Sequence, residues 1–278
     1  MPEPTRDAGR LEEIARDLRV DIIRMLVEAK SGHPGGSLSE IDILTCLFFG
    51  GFLRYKPDQP DWPERDRFLL SKGHCTPGLY STMARAGYFP SEELMTFRKL
   101  GSRLQGHPDR TVLPGIEVSA GSLGQGLSVA VGIALAARMD GKDWRTFCMM
   151  GDGEQDAGQV WEAAMSAGDY GLGTLIGIVD ANQVQQTGPT KDIMTIEPLA
   201  ERYRSFGWHV IEFDGHDIPA IIGAFDEALA VKDKPAALIA RTVKGKGVSW
   251  MELNHNWHGK APSAEEGERA VAEILGGN

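Results

Sequence analysis

Cysteine is scarce. Cys46, Cys75 and Cys148 are too few and too far apart in 278 residues for a disulfide framework, and their spacing fits no cysteine-based metal site. A reducing cytoplasm is the expected home. Basic charge is also short, with 29 Lys and Arg against 39 Asp and Glu and a net charge of -10. No extended basic face is therefore available to neutralise the phosphates of a nucleic acid. A small phosphorylated ligand is not excluded, because local donors and a metal ion override the global field. Long apolar runs are missing as well. IDILTCLFFGGFL, at 41–53, is too short for a bilayer and contains Asp42, and the N-terminal MPEPTRDAGR has no apolar signal core. The expectation is a soluble protein with neither a membrane nor a nucleic acid as partner.

What is present is ordinary for a globular enzyme: 42% hydrophobic and 24% charged residues, in a length that suits one large α/β domain or two small ones. Leu11, Ile14, Leu18, Ile22 and Met25 recur at helical spacing, and SGHPGG then reads as the end of that helix, with a second one from Leu38. Residues 54–66 hold three prolines and read as a surface loop. A small-residue helix follows FLLSKGH, and another is expected from Ser91 as N-cap, with Glu92 and Glu93 in its first turn. The second half alternates. Strand-like runs at Thr146–Met150, Leu175–Asp180, His209–Phe213 and Ala237–Thr242 are separated by helical stretches at Val160–Gly168, Pro198–Phe206 and Pro219–Val231. An amphipathic helix over Ser263–Leu275 closes the chain. This pattern predicts one domain over 1–278: a doubly wound, mostly parallel sheet with helices on both faces.

In such sheets ligands bind beyond the carboxyl ends of the strands. Asp152 and Asn182 stand there, each just past an apolar run and 30 residues apart. An Asp carboxylate, an Asn amide oxygen and a nearby backbone carbonyl are hard donors, suited to Mg²⁺ or Ca²⁺ and not to zinc or copper. Gly151 and Gly153 flank Asp152 and let a diphosphate approach the backbone. A helix beginning near Gly158 is expected to aim its amide N–H groups at the anionic oxygens. GDG alone is most often a plain turn; the strand, helix, strand and Asn182 that follow make it a candidate metal-bridged diphosphate site.

GDG followed by about thirty residues and an Asn resembles the thiamine diphosphate motif, and the finer detail resembles transketolase. Seven ordered stretches carry that likeness: KSGHPGG, DRFLLSKGH, LQGHPD, SAGSLGQGLSVAVG, GDGEQDAGQVWEA, GWHVIEFDGHD and HNWHGKAP. They span nearly the whole chain and match the N-terminal, diphosphate-binding domain of transketolases. The resemblance implies Mg²⁺, with Ca²⁺ or Mn²⁺ as substitutes, held by Asp152, Asn182 and the carbonyl of Val184. It sets Gly151, Gly153 and His74 against the diphosphate, and Gly121 and Leu123 toward the aminopyrimidine, with Ser122 where many transketolases carry Pro. His33, His74, His107 and His258 are implied as catalytic groups lining the sugar channel. His255 is a weak candidate, and His209, His216 and the tryptophans read as structural.

Two departures stand beside the likeness. Ala157 takes the place of a Glu common in transketolases five residues after the motif Asp, while Glu162, ten residues after it, is retained among the implied cofactor residues. These acids join a network linking two cofactor sites in the family, and Asp156 is the neighbour able to compensate. The chain also lacks the pyrimidine-binding and C-terminal domains of a full transketolase, including the Glu that protonates the aminopyrimidine. The resemblance thus implies half a site, completed by a second chain in an α2β2 heterotetramer that transfers a two-carbon ketol unit from a ketose to an aldose. Two alternatives stay open on the sequence. One is a 1-deoxyxylulose-5-phosphate synthase-like or 2-oxoacid-decarboxylating subunit, toward which Ala157, Gly158, Glu162 and Ala163 lean. The other is a diphosphate-binding module without catalysis.

Overall fold

The computed structural model describes residues 3–276; Met1, Pro2, Gly277 and Asn278, the ends of the expected 1–278 domain, lie outside the described residues. Two helices come first, α1 (Ala8–Ala29) and α2 (Pro34–Phe49), then β1 (Arg67–Leu70) and α3 (Thr76–Ala86). After a long connection come α4 (Gln125–Met139), β2 (Thr146–Gly151), α5 (Gly158–Asp169) and β3 (Leu175–Ala181). The chain continues through α6 (Thr190–Ile193), α7 (Leu199–Ser205), β4 (His209–Asp214), α8 (Ile218–Ala230), β5 (Ala236–Arg241) and α9 (Ala264–Ile274). All strand pairs are parallel, in the order β1-β2-β3-β5-β4.

Alternation along the strands divides the core between the two faces of the sheet. Phe147, Met149, Ile176, Ile178 and Leu238 pack on one side with α1, α2, α3 and α8. Cys148, Met150, Leu175, Val179 and Ile239 pack on the other with α4, α5 and α7. Every residue of α2 is buried, including Glu40 and Asp42, so its charges need partners inside the protein. This is the doubly wound parallel architecture that the sequence predicts, with β1, α4 and the short α6 as additional elements. Among the described residues no helix is long and apolar enough to cross a membrane.

Two boundaries differ from expectation. The helix α2 starts at Pro34, not Leu38, with Pro in its first turn, where its missing N–H costs nothing. Gly35 and Gly36 are therefore helical, and they serve clearance instead of termination. A β-carbon on Gly36 would lie 2.5 Å from Cys75 Sγ. The turn that does end α1 is Lys30, in the left-handed region at φ 51°. The segment at Ser91–Thr96 is a 3₁₀ helix with Pro90, not Ser91, at its N-cap position. Glu93 there turns to Arg103, 2.6 Å away.

Candidate active site

β2 and β3 lie side by side with Gly151 opposite Asp180, so the residues that follow them emerge together at one edge of the sheet. Asp152 comes directly after β2 and Asn182 directly after β3. Both are 4% exposed, and both line a cavity of about 300 Å³. His33, His74, Gly121, Leu123, Gly151, Gly153, Val184 and His258 line it as well.

Local geometry sets the oxygen donors. Asp152 Oδ1 accepts from the Gly153 N–H at 2.7 Å and Oδ2 from the Gln183 N–H at 2.5 Å. Gln183 has a left-handed backbone, φ 68°, which residues with a side chain seldom adopt. Both of its neighbours, Asn182 and Val184, line the cavity. The Asn182 amide nitrogen donates to Asp180 Oδ2 at 3.1 Å and Ser39 Oγ at 3.3 Å, while its oxygen accepts from the Val184 N–H. That bonding fixes which way the amide faces. Burial, and Asp180 after it, raise the Asp152 carboxyl to about 6. Among the described residues no three His, Cys, Asp or Glu side chains gather as a metal centre. Asp152, Asn182 and Val184 offer one carboxylate, one amide and one carbonyl, and the Val184 carbonyl already attracts a cation: the Lys244 ammonium lies 2.6 Å from it. These groups fit a hard divalent ion.

Beneath the cavity lies an ionic cluster. Lys72, 2% exposed, sits 2.5 Å from Asp180 Oδ2 and 2.8 Å from Glu40 Oε2. Burial works against the Lys72 charge, but Asp180, Cys75 and Glu40 together outweigh it and hold the ammonium well above its ordinary range. Burial likewise opposes the Asp180 charge, yet Lys72, Ser39 and Thr242 keep that carboxyl below its usual value. Glu40 is driven the other way by its burial, despite Lys72 beside it. Lys244 is 3% exposed, and burial lowers it to about 8. Two buried cations facing one cavity suit a polyanionic ligand.

Glu154, the residue after GDG, organises the mouth. Its Oε1 accepts from Ser71 and from the Gly124 N–H at 2.7 Å, and its Oε2 from the Gly151 N–H at 3.1 Å. One carboxylate thus ties the ends of β1 and β2 to the turn that starts α4. Gly124 is left-handed at φ 87°, and a β-carbon on it would lie 2.7 Å from that of Ala157.

The histidines form a rim. Ring centroids of His33, His74 and His258 are 5.1 to 5.4 Å apart in every pairing. Burial, followed by neighbouring positive groups, lowers His33 to about 3, His74 to about 4 and His258 to about 2. All three are neutral imidazoles at physiological pH. His107 lines a shallower depression next door, and its Cδ2 lies 3.3 Å from where a β-carbon on Gly121 would be.

Other expected site residues fall outside the cavity. Ser122 is exposed, and Glu162 is exposed on α5; neither lines it. The lining stops at Glu154 and does not reach Gly158, because a 3₁₀ turn over Gly153–Asp156 separates Asp152 from α5. Asp156 bonds Gln185 Nε2 at 2.7 Å. His255 is exposed in a short 3₁₀ turn. His216 and His209 are held by Asp42 and Glu227. Sequence reasoning passes over Lys72, Asp180, Lys244, Glu154, Ser39 and Glu40. The signals for three are present: Lys72 stands two residues before His74, Asp180 ends an apolar run, and Lys244 follows β5.

Comparison with known proteins agrees with this geometry. The family described as "Transketolase, thiamine diphosphate binding domain" matches residues 10–278. The chain is 44% identical over 256 residues to one of the subunits of the apulose-4-phosphate transketolase of Phocaeicola vulgatus, covering 92% of this chain and 90% of that one. It is also 44% identical over 274 residues to the 6-deoxy-6-sulfo-D-fructose transketolase subunit SqwG of a Clostridium species, covering 99% and 98%. A transketolase of Pichia stipitis solved with sedoheptulose-7-phosphate superposes with a TM-score of 0.90 at 35% identity, over 96% of this chain and 41% of its own length. Through its thiamine diphosphate-binding domain, the chain belongs to the transketolase family.

Proposed function

We propose that this chain, working as one domain over residues 1–278, is the diphosphate-binding subunit of a two-chain transketolase. The observation that carries the reading is the convergence of Asp152, Asn182 and Val184 with Lys72, Lys244 and His74 on one cavity at the strand ends. The donor set suits Mg²⁺, with Ca²⁺ or Mn²⁺ as substitutes. Asp152, Asn182 and the Val184 carbonyl would hold the ion. Gly151, Gly153, His74 and the two lysines would hold the diphosphate, with Gly121 and Leu123 toward the aminopyrimidine and Ser122 at its edge. Thiamine diphosphate, when bound, supplies the carbon that carries a two-carbon unit between sugars.

The protein's part is positioning and charge. Lys72 and Lys244 offset the diphosphate, and their burial strengthens that attraction. The neutral imidazoles of His33, His107 and His258 meet sugar hydroxyls through ring nitrogens able to hydrogen-bond them. Both split relatives are named for sugars bearing phosphate or sulfonate, which supports an anionic ketose donor. Their naming as subunits supports a second chain carrying the pyrimidine-binding domain, in an α2β2 heterotetramer. All three cysteines are free and buried, in keeping with the cytoplasm. The test is calorimetric titration of thiamine diphosphate with Mg²⁺ into the assembled complex. Asp152→Ala should abolish metal-dependent binding, and unchanged affinity in that variant would overturn the metal assignment.

A further inference from the structure

Lys244 follows β5, and its stem is wedged against α2: a β-carbon on Gly35 would come within 3.0 Å of its Cγ and Cε. Packing therefore dictates where the ammonium sits. It lies 2.6 Å from the Val184 carbonyl and 2.8 Å from Nδ1 of His258.

An ammonium has three N–H donors and no acceptor. The Val184 carbonyl accepts one of them, and the short contact to His258 is favourable only if Nδ1 accepts another. A neutral imidazole that accepts at Nδ1 carries its proton on Nε2. The charged ring is disfavoured here by simple geometry, since it would set two donors face to face across 2.8 Å. The bond at Nδ1 is the one side-chain hydrogen bond His258 makes among the described residues, and the side chain lines the cavity.

We propose that Lys244 is a positioning residue that locks His258 as the Nε2–H tautomer, so that this imidazole offers the sugar a hydrogen-bond donor and not a proton acceptor. The sugar as ligand rests on the transketolase reading; the tautomer does not. Two consequences follow for the rim. His258 steadies an oxygen of the substrate, and proton acceptance falls to an imidazole whose tautomer no cation dictates. His33, whose Nδ1 is buried without a partner, is such a ring.

The experiment is a long-range ¹H–¹⁵N correlation spectrum of the full chain labelled at histidine nitrogens, at neutral pH. His258, identified by the signal lost in His258→Asn, should show a bare Nδ1 and a protonated Nε2. His216 supplies the opposite pattern in the same spectrum, because its Nδ1 faces Asp42 while its Nε2 accepts the Val243 N–H at 2.8 Å. Lys244→Arg keeps donors and adds no acceptor, and should preserve the His258 pattern. Lys244→Met removes the donor and should shift both His258 nitrogens toward values averaged over two tautomers. A protonated Nδ1 in the unsubstituted chain would overturn the proposal. So would loss of the pattern in a folded Lys244→Arg, or an unchanged pattern in Lys244→Met. The His209 and His216 signals report whether each variant is folded; if neither is, the unsubstituted chain decides the matter. Ketol transfer plays no part in this readout, so failure of the enzymatic reading and failure of the tautomer assignment are separate results.

Discussion

Two buried ionic clusters flank α2, and they are built on opposite terms. In the first, Arg19 donates to both oxygens of Asp42, and His216 bonds Asp42 through Nδ1 while its Nε2 accepts a backbone N–H. Each polar group there has a partner within the protein. In the second, Lys72 lies between Asp180 and Glu40 under the cavity, and satisfaction is incomplete. Glu40 Oε1 and His33 Nδ1 are buried without hydrogen-bond partners. The histidines differ in the same way, since His216 meets a carboxylate whereas His258 meets the Lys244 ammonium and packs with the rings of His33 and His74. A fully satisfied cluster serves the fold. A cluster beside a cavity with polar groups left short of partners suits a ligand from outside.

Breaking the second cluster should cost the most stability. Lys72→Met leaves Asp180 and Glu40 as a buried acid pair without a cation, and the loss should be about 3–5 kcal/mol in a urea titration. Arg19→Met should cost less, about 2 kcal/mol, because His216 remains as a donor to Asp42. Thiamine diphosphate affinity should survive the second substitution and not the first. Equal losses of affinity would erase the distinction between the clusters.

A smaller effect sharpens the contrast between the histidines. Burial depresses His74 to about 4, so the folded chain binds that proton less readily than the unfolded chain, whose imidazole titrates near 6.5. The contribution of the neutral ring is whole above about pH 6.5 and is lost as pH falls toward the folded value. Asp152, raised to about 6, works in the opposite sense, so the test must be a difference. The stability gap between the wild type and His74→Gln should move against the wild type between pH 7.5 and pH 5, and a constant gap would contradict the assignment. Smallest of all, Glu162→Gln on the exposed face of α5 should change the stability of the chain by less than about 0.5 kcal/mol in a thermal melt.

Much of this is legible from patterns of apolar residues. The strands β2 to β5 and the helices between them follow from runs whose periodicity switches, and placing Asp152 and Asn182 at neighbouring strand ends follows from parallel pairing. What escapes are features that depend on contacts across the fold. Gly35 and Gly36 look like helix breakers until Lys244 and Cys75 are brought against them. Lys72 and Asp180 are unremarkable charges in sequence, 108 residues apart, and become a buried pair only when β1 and β3 end at the same edge. Glu162 shows the reverse, since a motif position draws it into the cofactor set while the helix turns it to the surface.

On the function proposed above, this chain holds the metal–diphosphate half of a ketol-transferring site. The direct test is ketol transfer from a panel of ketose donors, with this chain alone and then with the proteins that co-purify with it, each with and without thiamine diphosphate and Mg²⁺. Turnover is expected only when a second chain and both cofactors are present. Turnover by this chain alone, or turnover indifferent to the cofactors, would contradict it.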